Sequence, residues 1–497
     1  LTDAQLVEKN HLMNNPIYQT VIVGGGFTGL FTALHLAHEH YPRSIILIDS
    51  SERFCFKPLL YEYFSGEMDA NQVVPRFEEL LKDSGIIFVQ DTVQSIDLEQ
   101  REVKLTSGTN YNYSNLVLAL GSVTGYFGVE GAKEYAFDFR TQENAIALDR
   151  HLRDCLQRAV QIEDPEQRRR LLTVAAIGGG PSGVEMVATL ADLLPNWYEA
   201  LGGNPQEVRV VLINHGNEIL KGDINSHLRE TAEQELEKRA VPVELIAGAE
   251  ATAIRRDSVE YKRDGKSEIL SASTTIWTTG TATHPLIKNL PIPNEHRDRD
   301  GRVHVTPTLQ LPDFLEVFAG GDCAVDVQAS TVEGREYEHL ELHQDSISNS
   351  SEPHETKPLP PTAQVAYQQG ATIAHNLKAM ALGHELKPAQ VNLRGTLLKL
   401  GLENSAANIY DVFEVKGEVG HLIRQGTYLE LLPTPLHNLK VTTDWLKDEI
   451  FHEHINSGDG IKQAVKVAQV VGGVVVGAIV AKKMLNMLSE DDKNQKS

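Results

Sequence analysis

Hydrophobic and polar positions fall into two alternating regimes along this chain. The segment Tyr18–Ala37 starts with a short β-branched run, TVIV, which ends in glycines. An apolar pattern of helical period, FTGLFTALHLA, follows. A second short apolar run, SIILIDS at Ser44–Ser50, ends in Asp49. The pattern predicts strand, tight turn, helix and strand, a βαβ unit with an acid at the tip of its second strand. It returns at Leu171–Ala191, LLTVAAIGGGPSGVEMVATLA, with VRVVLINHG at Val208–Gly216 as the matching second strand. There the tip residue is Asn214. Three more apolar runs read as strands: Asn115–Ser122, Thr274–Thr281 and the FAGGDCA stretch at Phe318–Ala324. Residues Gln328–Lys357 are rich in Glu, His, Ser and Asp and cannot bury a core, so they read as a polar insertion.

The glycines supply the chemistry. In the first unit they are Gly24, Gly26 and Gly29, and in the second Gly178, Gly180 and Gly183. The first of each set permits a sharp turn. The second has no side chain to hold off a pyrophosphate, and the third lets helix and strand approach closely. The helix N-terminus then presents free N–H groups and a positive dipole end to phosphate. Asp49 is suited to accept hydrogen bonds from an adenosine ribose. One such turn is weak evidence, but two, each between strand and helix, predict a duplicated dinucleotide fold. Gly121, Gly280, Gly321 and Asp322 end the other strands and are further candidates for cofactor contact.

Composition narrows the function. A chain of 497 residues is too long for one core. Its net charge of −22 opposes nucleic-acid binding. Cys55, Cys155 and Cys323 form no closely spaced pair, so neither a redox dithiol nor a metal site is expected, and so sparse a set fits a reducing compartment. Leu1–Asn15 lacks the pattern of a signal peptide, and no apolar run reaches 18 residues.

Together these motifs resemble the type II, non-proton-pumping NAD(P)H:quinone oxidoreductases, within the two-dinucleotide flavoproteins of disulfide-reductase-like fold. Besides the glycine turns, the resemblance rests on FKPLLYE at Phe56–Glu62, NLVLALGS, FGVEG at Phe127–Gly131, GPSGVE at Gly180–Glu185, FAGGDCA, AQVAYQQG at Ala363–Gly370 and RGTLLKLG at Arg394–Gly401. It implies an α/β architecture of two Rossmann-like domains with a membrane-associating C-terminal region. FAD would occupy residues 16–145 and 291–392, and NADH or NADPH residues 146–290. Residues 393–456 would form the quinone side and 457–497 an apolar tail. By the same resemblance Gly24, Gly26, Gly29, Asp49 and Asp322 hold FAD. Gly178, Gly180 and Gly183 lie along the coenzyme, with Glu185 near the nicotinamide. Gln364 and Gln368 share one helix face toward the quinone, and Arg394 supplies a positive charge where a lysine is usual. The implied reaction is hydride transfer to the flavin and then two electrons to a membrane quinone, in electron transport without pumping. Two other readings are a sulfide:quinone oxidoreductase, which lacks its cysteine pair here, and a slow redox sensor. A homodimer is compatible with the sequence.

Two local features extend the reading. A neutral Asn214, where a carboxylate would repel a 2′-phosphate, predicts that NADPH is accepted. In the tail, Val470–Ala481 is wholly apolar, flanked by Lys462, Lys466, Lys482 and Lys483, with Gly473 and Gly477 spaced for close helix pairing. A helix of that length falls short of the ~30 Å hydrocarbon layer. A core element, a partner-helix interface and a membrane anchor all compete. The lipid-soluble quinone favours the anchor, which makes the chain a peripheral or tail-anchored protein at the cytoplasmic face of a membrane.

Overall fold

The computed structural model describes residues 19–222, 224–326, 359–393, 395–402, 404–409, 413–417, 420–421, 424, 427–428 and 432–433. The polar insertion, Arg394 and the apolar tail therefore lie outside the described residues. The chain forms two units, Leu1–His421 and Leu422–Ser497, and all sheets named here belong to the first.

β1 (Gln19–Val23) is β-branched and buried, and it ends where Gly24 turns the chain into helix α1 (Phe27–His38). The chain returns as β2 (Ser44–Asp49), parallel to β1 from Gln19/Ser44 to Val23/Ile48. On the other side of β1 runs β3 (Asn115–Leu118), also parallel and entirely buried. Strand Phe314–Ala319 joins next to β3, and Ile87–Gln90 closes the far edge beyond β2. Two nearly continuous apolar faces per strand are what a parallel sheet covered on both sides demands.

The second sheet repeats this plan. β4 (Thr173–Ile177) leads through Gly178 into helix α2 (Pro181–Ala200) and back to β5 (Arg209–Asn214). β6 (Thr274–Trp277) flanks β4 on the side away from β5, as β3 flanks β1. Strands Glu244–Ala247 and Phe137–Asp138 complete the two edges. The connections between the two sheets, Ser122–Thr124 and Thr281–Thr283, pair antiparallel with each other.

Helix α3 (Ala363–Leu382) lies against α1: Gly370 approaches the Thr28 carbonyl closely, and Thr32 Oγ1 donates to Gly370 O at 3.1 Å. β7 (Gly395–Lys399) opens a three-stranded antiparallel sheet with Ser405–Ile409 and Phe413–Val415. Its Leu398, with Leu400 beyond it, is buried in one apolar cluster with Val187 and Leu190 of α2 and Tyr61 and Phe64 of the helix Leu60–Ser65. Three separate stretches of sequence thus meet in a single core. Among the described residues no helix is long and apolar enough to cross a membrane.

Candidate active site

The first glycine turn is built by steric necessity. Gly24 has φ +102°, and a Cβ there would lie 2.3 Å from Ala119 O. A Cβ on Gly29 would lie 1.9 Å from Gly24 O, so α1 and the turn are in backbone contact. Gly24 N donates to Ile48 O at 2.8 Å. Gly26 caps α1 with no side-chain hydrogen bond, and nothing stands within 4 Å of its Cβ position. The first-turn N–H groups therefore have room beside them for an anion.

Asp49 Oδ2 accepts from Gly25 N at 2.6 Å and its Oδ1 from Ser51 N at 2.8 Å. Burial raises its carboxyl pKa and those two N–H bonds pull it back. An open cleft runs past Asp49, Gly24 and Gly26 to Lys57, Gly121 and Ser122. Lys57 borders this cleft. Protein crowding lowers the pKa of its ammonium, the Arg140 charge adds to that, and Asp322 and Cys55 oppose it. The set of an uncapped helix end, an acid at the strand tip and a cation in one cleft suits the pyrophosphate, ribose and flavin of FAD.

Asp322 reaches the cleft through a relay. Ser122 Oγ donates to Asp322 Oδ2 at 2.8 Å, and Arg140 Nη2 donates to Ser122 Oγ at 2.8 Å and Ser122 O at 3.0 Å. Gly321, at φ +70°, donates its N–H to Gln369 Oε1 at 2.7 Å. Gln369 is buried on α3 beside the pair predicted from sequence.

The second turn copies the first. Gly178 has φ +115° and donates to Ile213 O at 2.9 Å, and a Cβ on Gly183 would lie 1.8 Å from Gly178 O. Gly180 caps α2, again without a side-chain bond and with open space at its Cβ. Asn214 takes the place of Asp49: its Oδ1 accepts from Gly179 N at 3.0 Å. Its Nδ2 donates to Gly216 O at 2.9 Å and Glu218 O at 2.8 Å. Both amide hydrogens thus build the loop, which leaves only acceptor capacity for a ribose. Gly280, at φ +76°, ends the stretch after β6.

Glu185 lies in the second turn of α2, where its Oε1 accepts from Lys399 N at 2.9 Å. Gln364 and Gln368 do share a face of α3. Gln364 Nε2 donates to Gly395 O at 3.2 Å. Gln368 Nε2 donates to Asn392 O at 3.0 Å and Gln364 O at 3.2 Å, while its Oε1 accepts from Asn392 N at 2.9 Å. The amides hold Asn392 and Gly395 rather than standing free as donors.

Lys399 is a buried cation that the motifs do not single out, and Arg394, the cation they do single out, lies outside the described residues. The Lys399 side chain is fully buried, paired with Glu67 and 3.6 Å from the equally buried Glu62. The signal was present in LLKLG, a lone lysine inside an apolar strand. Ser122, Arg140 and Gln369 carried no such local mark.

The model of the pyridine nucleotide-disulphide oxidoreductases matches residues 18–370. The chain belongs to the pyridine nucleotide-disulphide oxidoreductase family. Within it, the demethylphylloquinone reductase NdbB of Synechocystis is 33% identical over 433 residues, covering 86% of this chain and 95% of that protein. An alternative NAD(P)H-ubiquinone oxidoreductase C1 of Arabidopsis thaliana, chloroplastic/mitochondrial, is 31% identical over 462 residues, 85% of this chain and 79% of that one. The solved structure of NDH2 from Plasmodium falciparum in complex with NADH shares the fold, with a TM-score of 0.74 at 18% identity. That match covers 87% of this chain and 98% of the other. This family member holds Cys55, Cys155 and Cys323 as free thiols, so no disulfide stands beside either turn. Burial pushes the Cys55 thiol up to about 12 and the Cys323 thiol up to about 11.

Proposed function

We propose that the chain oxidises NADH or NADPH through bound FAD and passes two electrons to a membrane quinone. The observation that carries this reading is the pair of matched, uncapped glycine turns in one chain, one tipped by an acid and the other by an amide. Relatives named for demethylphylloquinone and ubiquinone reduction support quinone as the acceptor. The FAD half comprises residues 16–145 and 291–392, the coenzyme half 146–290, and the quinone side 393–456.

FAD, when bound, supplies the two-electron chemistry. The protein supplies position, exclusion of water and charge. Gly24, Gly26 and Gly29 with the α1 N-terminus hold the FAD pyrophosphate, and Asp49 accepts from its ribose. Asp322, fixed by Ser122 and Arg140, orients the ribityl chain near Gly121 and Gly321. Gly178, Gly180 and Gly183 hold the coenzyme pyrophosphate, with Asn214 shaping the ribose loop and Gly280 beside the nicotinamide half. Glu185 is fixed by Lys399 N on the coenzyme side. Gln364 and Gln368 hold the segment that carries Arg394 at the quinone side. The tail 457–497 keeps the enzyme at the cytoplasmic face of a membrane as a peripheral or tail-anchored protein, and a second copy of the chain completes a homodimer.

The test separates the half-reactions. Purified protein carries FAD that denaturation releases, anaerobic NADH or NADPH bleaches it, and a quinone restores the yellow form in ping-pong kinetics. Reduction that no quinone reverses would overturn the quinone assignment. Truncation after Ser457 moves the protein to the soluble fraction while turnover with a short-chain quinone persists; a truncated chain that still sediments fully with membranes would remove the tail as anchor.

A further inference from the structure

Phe127 opens the FGVEG segment, and the proposed reaction leaves it without a task. At 72% it is the most exposed of the large hydrophobic residues described. Its φ is +50° and that of Gly128 is +75°. Val129 N donates to Tyr126 O at 2.9 Å, so Phe127 and Gly128 are the central residues of a tight turn. Positive φ at both central positions suits Asn-Gly or Gly-Gly. A phenylalanine there is strained, and an exposed ring gains little burial in return.

The turn is firmly anchored beside the second glycine turn. Trp277 Nε1 donates to Gly125 O at 3.0 Å, Gly125 N to Gly280 O at 3.2 Å, and Tyr126 OH to Asp138 Oδ2 at 2.8 Å. The ring lies on Gly280: a Cβ there would sit 2.3 Å from Phe127 Cε2. Thr279, the next residue back, fills the space above Gly178, whose Cβ position is 2.6 Å from Thr279 Cβ. Gly178, Thr279, Gly280 and Phe127 therefore form one continuous wall. A dinucleotide laid across the carboxyl ends of this sheet, with adenosine at β5 and pyrophosphate at the turn after β4, places its other half over β6. That is the side on which Phe127 stands.

We infer that Phe127 is a stacking platform for the nicotinamide nucleotide half of the coenzyme. The inference rests on the coenzyme reading above. Phe127→Asn tests it in the FAD-loaded enzyme, because asparagine suits the turn better and removes the ring. The thermal midpoint stays level or rises. The NADH Kd, from the concentration dependence of anaerobic flavin reduction, rises about tenfold, the scale of one lost base–aromatic stack. Inhibition by ADP, which reaches only the β5 side, is unchanged, and Phe127→Tyr keeps wild-type affinity. An unchanged NADH Kd in Phe127→Asn overturns the inference, as does equal weakening of ADP and NADH. A lowered midpoint with loss of binding in Phe127→Tyr also overturns it, by making the ring a packing group. Failure of both NADH and NADPH to reduce the wild-type flavin removes the functional reading and this inference with it.

Discussion

Gly183→Ala and Gly29→Ala put the same atom into two copies of one turn. The added Cβ would start 1.8 Å from Gly178 O in the second copy and 1.9 Å from Gly24 O in the first. A carbon tolerates a carbonyl oxygen at roughly 3.3 Å, so helix and turn must separate by about 1.5 Å. Both partners are backbone, and no rotamer relieves the clash. Hydrogen bonds from the helix N-terminus to a pyrophosphate do not survive that displacement. Two such bonds to a charged group, at about 1.5–3 kcal/mol each, amount to about 3–6 kcal/mol. Affinity for the nucleotide then falls by about 10²- to 10⁴-fold. Gly183→Ala should remain yellow, lose reduction by NADH and NADPH, and, after chemical reduction, return electrons to quinone at the wild-type rate. Gly29→Ala should lose FAD and with it the colour. Absorbance of the bound flavin and stopped-flow reduction measure both. If Gly183→Ala loses FAD as completely as Gly29→Ala does, the two turns do not serve separate nucleotides.

Other perturbations probe the residues between the turns. Asn214→Glu removes the two donors that hold Gly216 O and Glu218 O, so both coenzymes bind less tightly. The new charge penalises NADPH further, shifting the NADPH/NADH ratio of kcat/KM by about tenfold toward NADH; an unchanged ratio would place selectivity elsewhere. Lys399→Met removes a buried cation from between Glu62 and Glu67 and should cost about 3–5 kcal/mol, seen as a lower urea midpoint. Adding Glu62→Gln should recover part of that loss, and no recovery would argue against the pairing at 3.6 Å. At neutral pH the thiols of Cys55 and Cys323, pushed up to about 12 and about 11, stay protonated. Turnover should therefore survive iodoacetamide, and its loss would revive a sulfur-carrying role.

The parts of the fold that could be read from sequence are those whose cause is local. Gly24, Gly29, Gly178 and Gly183 stand out because a turn and a close helix approach each forbid a side chain, and both needs fall within six residues. The strands around them show as short β-branched runs because both faces are buried. What stayed hidden depends on partners far along the chain. Gln368 looks like a free donor until Asn392 closes on both ends of its amide. Asp322 is a turn aspartate until Ser122, 200 residues earlier, points at it. Lys399 shows as a lone lysine among apolar residues, but nothing nearby in sequence announces Glu62 and Glu67 as its counter-charges. Phe127 was visible as part of a motif, but its left-handed backbone and its contact with Gly280 are properties of the folded chain alone.

β7 is bonded at its first residue to Gln364 on α3 and at its last to Glu185 on α2. A strand cannot shorten without tearing its ladder, so at ~3.3 Å per residue these attachment points keep a spacing of about 13 Å. The strand is a tie-rod between α2 and α3, which on the proposed function serve the coenzyme and the quinone. If a ligand at the α2 turn moved Glu185, the displacement would be carried along this strand toward Gln364. Reciprocity then fixes the return signal: a ligand that moves Gln364 alters affinity at α2 by the same factor. On the proposed function, two half-reactions separated in time would then share one mechanical element.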